Sequence, residues 1–346
     1  MDKCDIKSLN LNELENLIVS DGLQKFRAKQ IYDWLHIKHV TSFSEMTNLS
    51  ADLREKLSEK YFVNSLETAL VQTSKLDGTK KYLFKLMDGN FVESVWMKYH
   101  HGNSVCISSQ VGCRMGCKFC ASTLDGLTRC LEPSEMLDQI YRITEETGER
   151  VSNVVVMGTG EPMDNYDNLL KFIRLLTDDK GLNISQRNIT VSTCGIIENM
   201  RRLADEKLQI TLALSLHAVT DEKRKELMPI ANKYTIAELM DACKYYFDTT
   251  GRRISFEYAL VRGVNDTDED ANGIIRLARK VGAHINLIPV NPIKERDFKE
   301  TAHPDVLAFK NKLEKNGINV TIRREMGRDI DGACGQLRKK VMDESH

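Results

Sequence analysis

Three of the chain's nine cysteines crowd into the segment Cys113-Arg-Met-Gly-Cys117-Lys-Phe-Cys120. A C-x3-C-x2-C run on one tight loop offers thiolates to three irons of a cubane cluster and leaves the fourth iron open. Zinc is the other reading of clustered cysteines. Structural zinc sites favour paired C-x2-C units with a fourth ligand, and no second such pair occurs here. An odd cysteine count, clustered in a long chain, points to metal or catalysis rather than to a disulfide framework. Phe119, beside the last cysteine, suits a loop that shields such a cluster. Two further cysteines stand out by context. Cys106 sits in Ser-Val-Cys106-Ile-Ser-Ser-Gln shortly before the loop, and Cys334 sits in Gly-Ala-Cys334-Gly near the C-terminus. A free cysteine is usually a small buried hydrophobe, and Cys4, Cys130 and Cys243 read that way. The glycine flanks of Cys334 favour an accessible, working thiol.

The elements that must position these residues follow from periodicity. From about residue 103, strand-like runs at 104–108, 153–157, 188–192, 210–215, 254–260, 285–289 and 319–323 alternate with amphipathic stretches. Among the latter are PSEMLDQIYRITEETG and IAELMDACKYYFDTTG. Such alternation predicts a parallel sheet with right-handed crossovers. Six or seven units suit a barrel or partial barrel, and no G-x-G-x-x-G motif marks a dinucleotide-binding sheet. In barrels the chemistry sits where strands end. The cysteine loop follows the first strand, and Gly158-Thr-Gly160-Glu161-Pro162 follows the second. Ser192-Thr-Cys-Gly195, Ser215-Leu216-His217 and Asn291-Pro292 follow the third, fourth and sixth. Residues 1–90 read as a helical accessory domain with a β-rich linker, in which Ser50 caps a helix and Asp88-Gly89 turns between two strands. Residues 91–330 form the barrel, and 331–346 a C-terminal loop and tail.

Composition bounds the class. Hydrophobic content of 41% and charged content of 29% are those of a soluble globular chain. No apolar run approaches the roughly 18–20 residues of a membrane span, and the N-terminus lacks the apolar stretch of a signal peptide. A cytoplasmic protein without a membrane partner is expected. The net charge of −1 announces no nucleic-acid partner in bulk. Local basic clusters are enough to meet phosphates, and Lys25/Arg27/Lys29, Lys294/Arg296/Lys299, Arg323/Arg324/Arg328 and Arg338/Lys339/Lys340 supply them.

The motifs in this order resemble the radical S-adenosylmethionine superfamily. Over nearly the full chain they resemble the RlmN/Cfr family of RNA methyltransferases. The resemblance rests on Cys106–Cys113, Met157–Asn165, Leu227-Met-Pro-Ile230, Gly263-Val-Asn-Asp266 and Asp329–Leu337. It implies an α/β fold, a partial (βα)6 TIM-like barrel with a small N-terminal helical accessory domain. It implies a [4Fe–4S] cluster on Cys113, Cys117 and Cys120, and two molecules of S-adenosyl-L-methionine per turnover. Gly160 and Glu161 would meet the methionine amino group, and Ser192, Ser215, Leu216, His217 and Asn291 would line the rest of that cofactor. Cys334 would carry a methyl group, Cys106 would form a transient disulfide with it, and Glu93 would be the general base. On the sequence alone, Glu93 reads as an ordinary strand glutamate. The implied substrates are 23S rRNA and tRNA, with methylation at carbon 2 of an adenine. The resistance branch, which modifies carbon 8, typically has alanine where Pro162 follows Glu161. A reductant such as flavodoxin or ferredoxin and a monomeric state complete the expectation. Rival readings are the carbon-8 enzyme, a radical enzyme of another reaction type, and a zinc-stabilised RNA-binding protein.

Overall fold

The computed structural model describes residues 3–100, 102–289, 299, 301–330 and 337–338. Its N-terminal part holds three helices, α1 (Leu11–Ser20), α2 (Phe26–His36) and α3 (Ala51–Lys60), clasped by the short parallel pair β1 (Cys4–Asp5) and β2 (Tyr61–Phe62). Local signals set the helix starts. Asn10 and Glu13 close a capping box on α1, and the Ser50 hydroxyl accepts from Leu53 N at 3.3 Å to cap α3.

A ten-stranded sheet carries the rest. Three antiparallel strands lead in: β3 (Glu67–Thr73), β4 (Lys80–Lys85) and β5 (Phe91–Tyr99). The fourth, β6 (Gly102–Ile107), pairs antiparallel with β5 and then starts a parallel run. After the ribbon β7 (Gln110–Gly112) and β8 (Leu127–Cys130), that run continues through β9 (Val151–Val156), β10 (Ile189–Thr193), β11 (Thr211–Ser215), β12 (Ser255–Leu260), β13 (His284–Pro289) and β14 (Val320–Ile322). Helices α4 (Pro133–Thr147), α5 (Tyr166–Leu176), α6 (Ile197–Asp205), α7 (Asp221–Leu227), α8 (Ile236–Thr250), α9 (Asp268–Val281) and α10 (His303–Lys315) occupy the crossovers. This is the expected partial barrel, with strand ends within two residues of those read from the sequence.

The expected division at residue 90 falls inside a continuous ladder, because β4 pairs with β5 from Lys80↔Trp96 to Lys85↔Phe91. Cross-strand hydrogen bonding draws the β-rich segment into the barrel wall, so the helical unit ends near Phe62.

That unit docks on α4 and α5 through buried polar contacts. Lys7 Nζ lies 2.8 Å from Asp138 Oδ1, both side chains almost fully buried, and Asp138 Oδ2 accepts Leu66 N–H at 2.7 Å. Tyr32 donates to Asp178 at 2.7 Å, His36 Nδ1 meets the Tyr141 hydroxyl at 2.8 Å, and the His39 ring stacks on Tyr141. Burial, reinforced by the Lys7 charge, pushes His36 down to about 3. Its neutral form is therefore the folded form. A histidine whose folded value lies below its unfolded value of about 6.5 contributes stability that is fully present above that pH and lost as pH falls toward the folded value. Unfolding stability should thus decline between pH 6.5 and 4, by on the order of 2 kcal/mol at pH 5 for this one group. Denaturant titrations of wild type and His36→Asn check this; the variant's stability should fall less over that range.

Candidate active site

The cysteine loop is held by the β7–β8 ribbon. Cys113 N–H donates to Gly126 O at 2.7 Å, and the Thr123 hydroxyl donates to the carbonyls of Cys117 and Cys120 at 3.1 and 2.9 Å. Lys118 N–H bonds Leu227 O at 2.9 Å, which seats the loop on the Leu227-Met-Pro-Ile230 segment. Gly112 has φ +76, and a Cβ there would run into the Gly126 carbonyl oxygen, so only glycine permits the turn. Cys113 and Cys117 are buried and Cys120 is half-buried. Burial pushes the Cys113 thiol up to about 12, and the neighbouring Cys120 adds to the shift. Cys117 moves in the same direction for the same reason, with Cys120 and Cys113 contributing.

These three sulfurs share one electrostatic neighbourhood, which resists thiolates unless a cationic group enters with them. Among the described residues, no three His, Cys, Asp or Glu side chains converge on a single-ion site. The Arg224 guanidinium is buried, burial pushes it down from its usual value, and its Nη1 has no partner among the described residues. Thiols that need positive charge, beside a guanidinium nitrogen that needs an acceptor, fit an iron–sulfur cluster with a carboxylate-bearing ligand.

The strand ends around the loop are tied to one another. Gly160, at φ +111, lies against Gln110, where a Cβ would come within 2.6 Å of that side chain. Glu161 is buried and its two oxygens accept the N–H groups of Met163 at 3.0 Å and Cys194 at 2.7 Å. In this arrangement the carboxylate staples the end of β9 to the end of β10. Burial raises it, while these N–H donors act the other way. Ser192 and Ser215 face each other, hydroxyl to hydroxyl, at 3.4 Å. His217 has φ +54, and its Nδ1 accepts Ala259 N–H at 2.9 Å, so Nε2 carries the proton of the neutral ring. Burial and the Arg224 charge hold His217 down at about 3, and Phe119 meets its ring edge-on at 4.7 Å. Leu216, expected to line the cofactor with its neighbours, meets that space with its backbone rather than its side chain. It is fully buried in the core, and the residue bonds its neighbours through its backbone N–H and carbonyl.

Two residues escaped the sequence reading. Arg224 Nη2 donates to Cys194 O at 2.6 Å and Ser215 O at 3.3 Å, while Nε donates to Leu216 O at 3.2 Å, so one guanidinium joins the ends of β10 and β11. No local signal marked it beyond its place just before Leu227-Met-Pro-Ile230. Asn265 donates to His217 O at 2.8 Å and Ala259 O at 2.7 Å. It belongs to the noted Gly263-Val-Asn-Asp266 stretch, and that was the available signal.

The inner face of the sheet bounds a cavity of about 860 Å³, lined by Val95, Cys106, Glu257 and Asn286 among others. Val95 on β5 pairs with Cys106 on β6. Glu93 lies two residues along β5 and shares their face by alternation. It is buried, 3.0 Å from Lys81 Nζ through Oε2, and its Oε1 accepts Arg338 N–H at 2.6 Å. Cys334 and Asn291 lie outside the described residues. The described chain before Cys334 is fixed where Asp329 accepts from the Ser74 hydroxyl at 2.5 Å and Lys75 N–H at 2.7 Å. The chain after it is fixed by the Arg338 contact to Glu93.

Comparison with known proteins agrees with this architecture. Residues 107–278 match the Radical SAM superfamily, and residues 4–63 match the ribosomal RNA large subunit methyltransferase N-terminal domain. A probable dual-specificity RNA methyltransferase RlmN from Lachnospira eligens is 70% identical, covering 98% of this chain and 97% of that protein. A protein of the same description from Lachnoclostridium phytofermentans is 62% identical, covering 99% and 97%. The crystal structure of a radical SAM methyltransferase from Sphaerobacter thermophilus superposes with a TM-score of 0.91 at 40% identity, covering 96% of this chain and 98% of that one. Gly112→Ala should cripple the cysteine loop specifically: iron bound after reconstitution should fall several-fold, while the far-ultraviolet circular dichroism spectrum stays that of the wild type.

Proposed function

The chain belongs to the RlmN family of radical S-adenosylmethionine RNA methyltransferases, and from that membership we propose that it methylates carbon 2 of an adenine in 23S rRNA and in tRNA through a methyl group carried on Cys334. The observation that carries the reading is the meeting of three chain segments: Glu93 on β5, Cys106 beside it on β6, and Arg338, just beyond Cys334, bonded to Glu93. A base, a thiol and the approach to a second thiol share one face of the sheet above the lumen.

Cys113, Cys117 and Cys120 would hold the cluster, and Gly160, Glu161, Ser192, Ser215, His217 and Asn291 would frame S-adenosylmethionine, with position 216 contributing backbone. When bound, these cofactors supply an activated methyl group and, after reductive cleavage of the sulfonium, a carbon radical. The residues do the remainder. Cys334 accepts the methyl as a nucleophilic thiolate. Carbon 2 of adenine lies between two ring nitrogens and is too electron-poor to attack a methyl group directly, so the methyl on Cys334 would first lose one hydrogen atom to that carbon radical and then add to carbon 2 as a radical itself. Glu93 takes the proton from carbon 2. Cys106 then attacks the Cys334 sulfur; the sulfur–sulfur bond forms as the carbon–sulfur bond breaks, the carbon leaves on the base as methyl once protonated, and the one electron left over from the radical addition is released, for which the cluster held by Cys113, Cys117 and Cys120 would be the acceptor.

RNA would meet two surfaces. On α2, Phe26 is 56% exposed with the Arg27 guanidinium over its ring, and Lys38 Nζ stands 3.5 Å above the Trp34 ring. Cation–aromatic pairs of this kind suit phosphate and unstacked bases. Arg323, Arg324 and Arg328 are exposed where they line the lumen opening, through which an extruded adenine would enter. The action is cytoplasmic, where these RNAs reside, in a monomer reduced by a flavodoxin- or ferredoxin-type donor. Among the described residues, no helix is long and apolar enough to cross a membrane.

The deciding experiment locates the methyl group in reacted rRNA and tRNA by mass spectrometry of nucleosides; methyl on carbon 8 would overturn the reading. Cys334→Ala should abolish methyl loading of the protein, whereas Cys106→Ala should load normally and accumulate a covalent protein–RNA adduct. RNA affinity should fall steeply between 50 and 200 mM salt, by roughly tenfold or more for a few phosphate contacts, and Arg323→Ala should flatten that slope.

A further inference from the structure

Lys81 on β4 is completely buried, and its ammonium lies 3.0 Å from Glu93 Oε2. Register explains the meeting. Lys81 pairs with Val95, Val95 pairs with Cys106, and Glu93 pairs with Leu83. Lys81, Val95 and Cys106 thus form one row across three strands, with Glu93 one step farther along the same face. Leu83 beside them is fully buried, so the pair is shielded from water. Removing two charges from water is costly, and apolar side chains of similar volume often replace such a pair without loss of stability. A wall that could have been completed with another leucine instead holds a fixed ion pair, next to the thiol and the C-terminal segment.

We propose that Lys81 is a positioning residue for the proton-abstraction step, an inference that rests on Glu93 acting as the base. The ammonium offsets the burial of the carboxylate charge and fixes one oxygen against β4. The other oxygen is held against the C-terminal segment by Arg338 N–H at 2.6 Å. The carboxylate is therefore locked between the barrel wall and the chain that bears the methyl carrier. When it takes the proton of carbon 2, the carbon–hydrogen bonding pair stays with the base and the proton rests on Glu93. The neighbouring ammonium then favours passing that proton on to water once the RNA leaves, which restores the pair.

The test uses the full-length, cluster-reconstituted enzyme and follows three steps: methyl on Cys334 by protein mass, 5′-deoxyadenosine formed, and covalent RNA adduct on denaturing gels. Lys81→Met should load methyl and form 5′-deoxyadenosine at wild-type levels, yet release RNA roughly 10- to 100-fold more slowly, within the range of a general-base contribution. Adduct should build up as it does in Glu93→Gln. Lys81→Arg should restore most of the release rate. Lys81→Gln, uncharged but still a hydrogen-bond donor, is measured in parallel and should show the same slow release should the methionine variant not fold. Wild-type release by the uncharged variants overturns the proposal. So does an equal fall in all three steps that arginine does not correct, because that is the mark of a merely structural lysine. Normal release by Glu93→Gln would instead overturn the reading of Glu93 as the base.

Discussion

Alternation of side chains along one unbroken sheet is the constraint on which the rest of the site depends. The sheet runs from β3 to β14, with register shifts at Thr68/Leu70 and Asn103/Ser104, and between such shifts the parity of each residue decides whether it faces the lumen or the outer helices. Glu93, Val95 and Cys106 share the inner parity, while Ser94 turns the other way and donates to Gln139 on α4 at 2.7 Å. A one-residue slip of β6 against β5 would turn Cys106 away from the face that Glu93 and Val95 share. The antiparallel hairpins thus hold two candidate catalytic groups at a fixed separation.

Above that wall, the strand ends are joined by charged and amide side chains rather than by packing alone. Glu161 links β9 to β10, Arg224 links β10 to β11, and Asn265 links β11 to the loop after β12. Each satisfies backbone groups that a parallel sheet leaves open at its C-terminal edge. These ties join the strand ends to one another before anything binds, which lowers the ordering cost of assembling a site from separate loops. The same residues are buried, so their charge is tolerated only because the hydrogen bonds are complete or are completed by a ligand.

The helical N-terminal unit is held to this framework by the Lys7–Asp138 pair and the Tyr32, His36 and Tyr141 contacts, on α4 and the turn after α5. A docked RNA would therefore meet two surfaces whose relative position is set by α4, the helix that also packs behind β6. Buried polar contacts specify orientation more sharply than apolar ones, because a misplaced partner leaves a buried group unpaired.

The sequence by itself determined the strand–helix alternation, the ends of most strands, the cysteine loop and the order of motifs at the barrel mouth. All of these are local: a period of two or near four, a cap, a glycine turn or a short spacing is written in neighbouring residues. It also named Glu93 and Cys106, through resemblance in the first case and a strand adjoining the loop in the second. What only the tertiary structure decided is pairing between distant segments. Nothing near Lys81 announces that it will meet Glu93, since strand register fixes that contact. Arg224 and Asn265 become staples only when separate strand ends come together. Leu216 points into the core because its parity, not its motif, sets its direction. The segment up to residue 90 joined the barrel for the same reason: β4 found its hydrogen-bonding partner in β5, and a ladder shared by two strands overrides any boundary drawn along one chain.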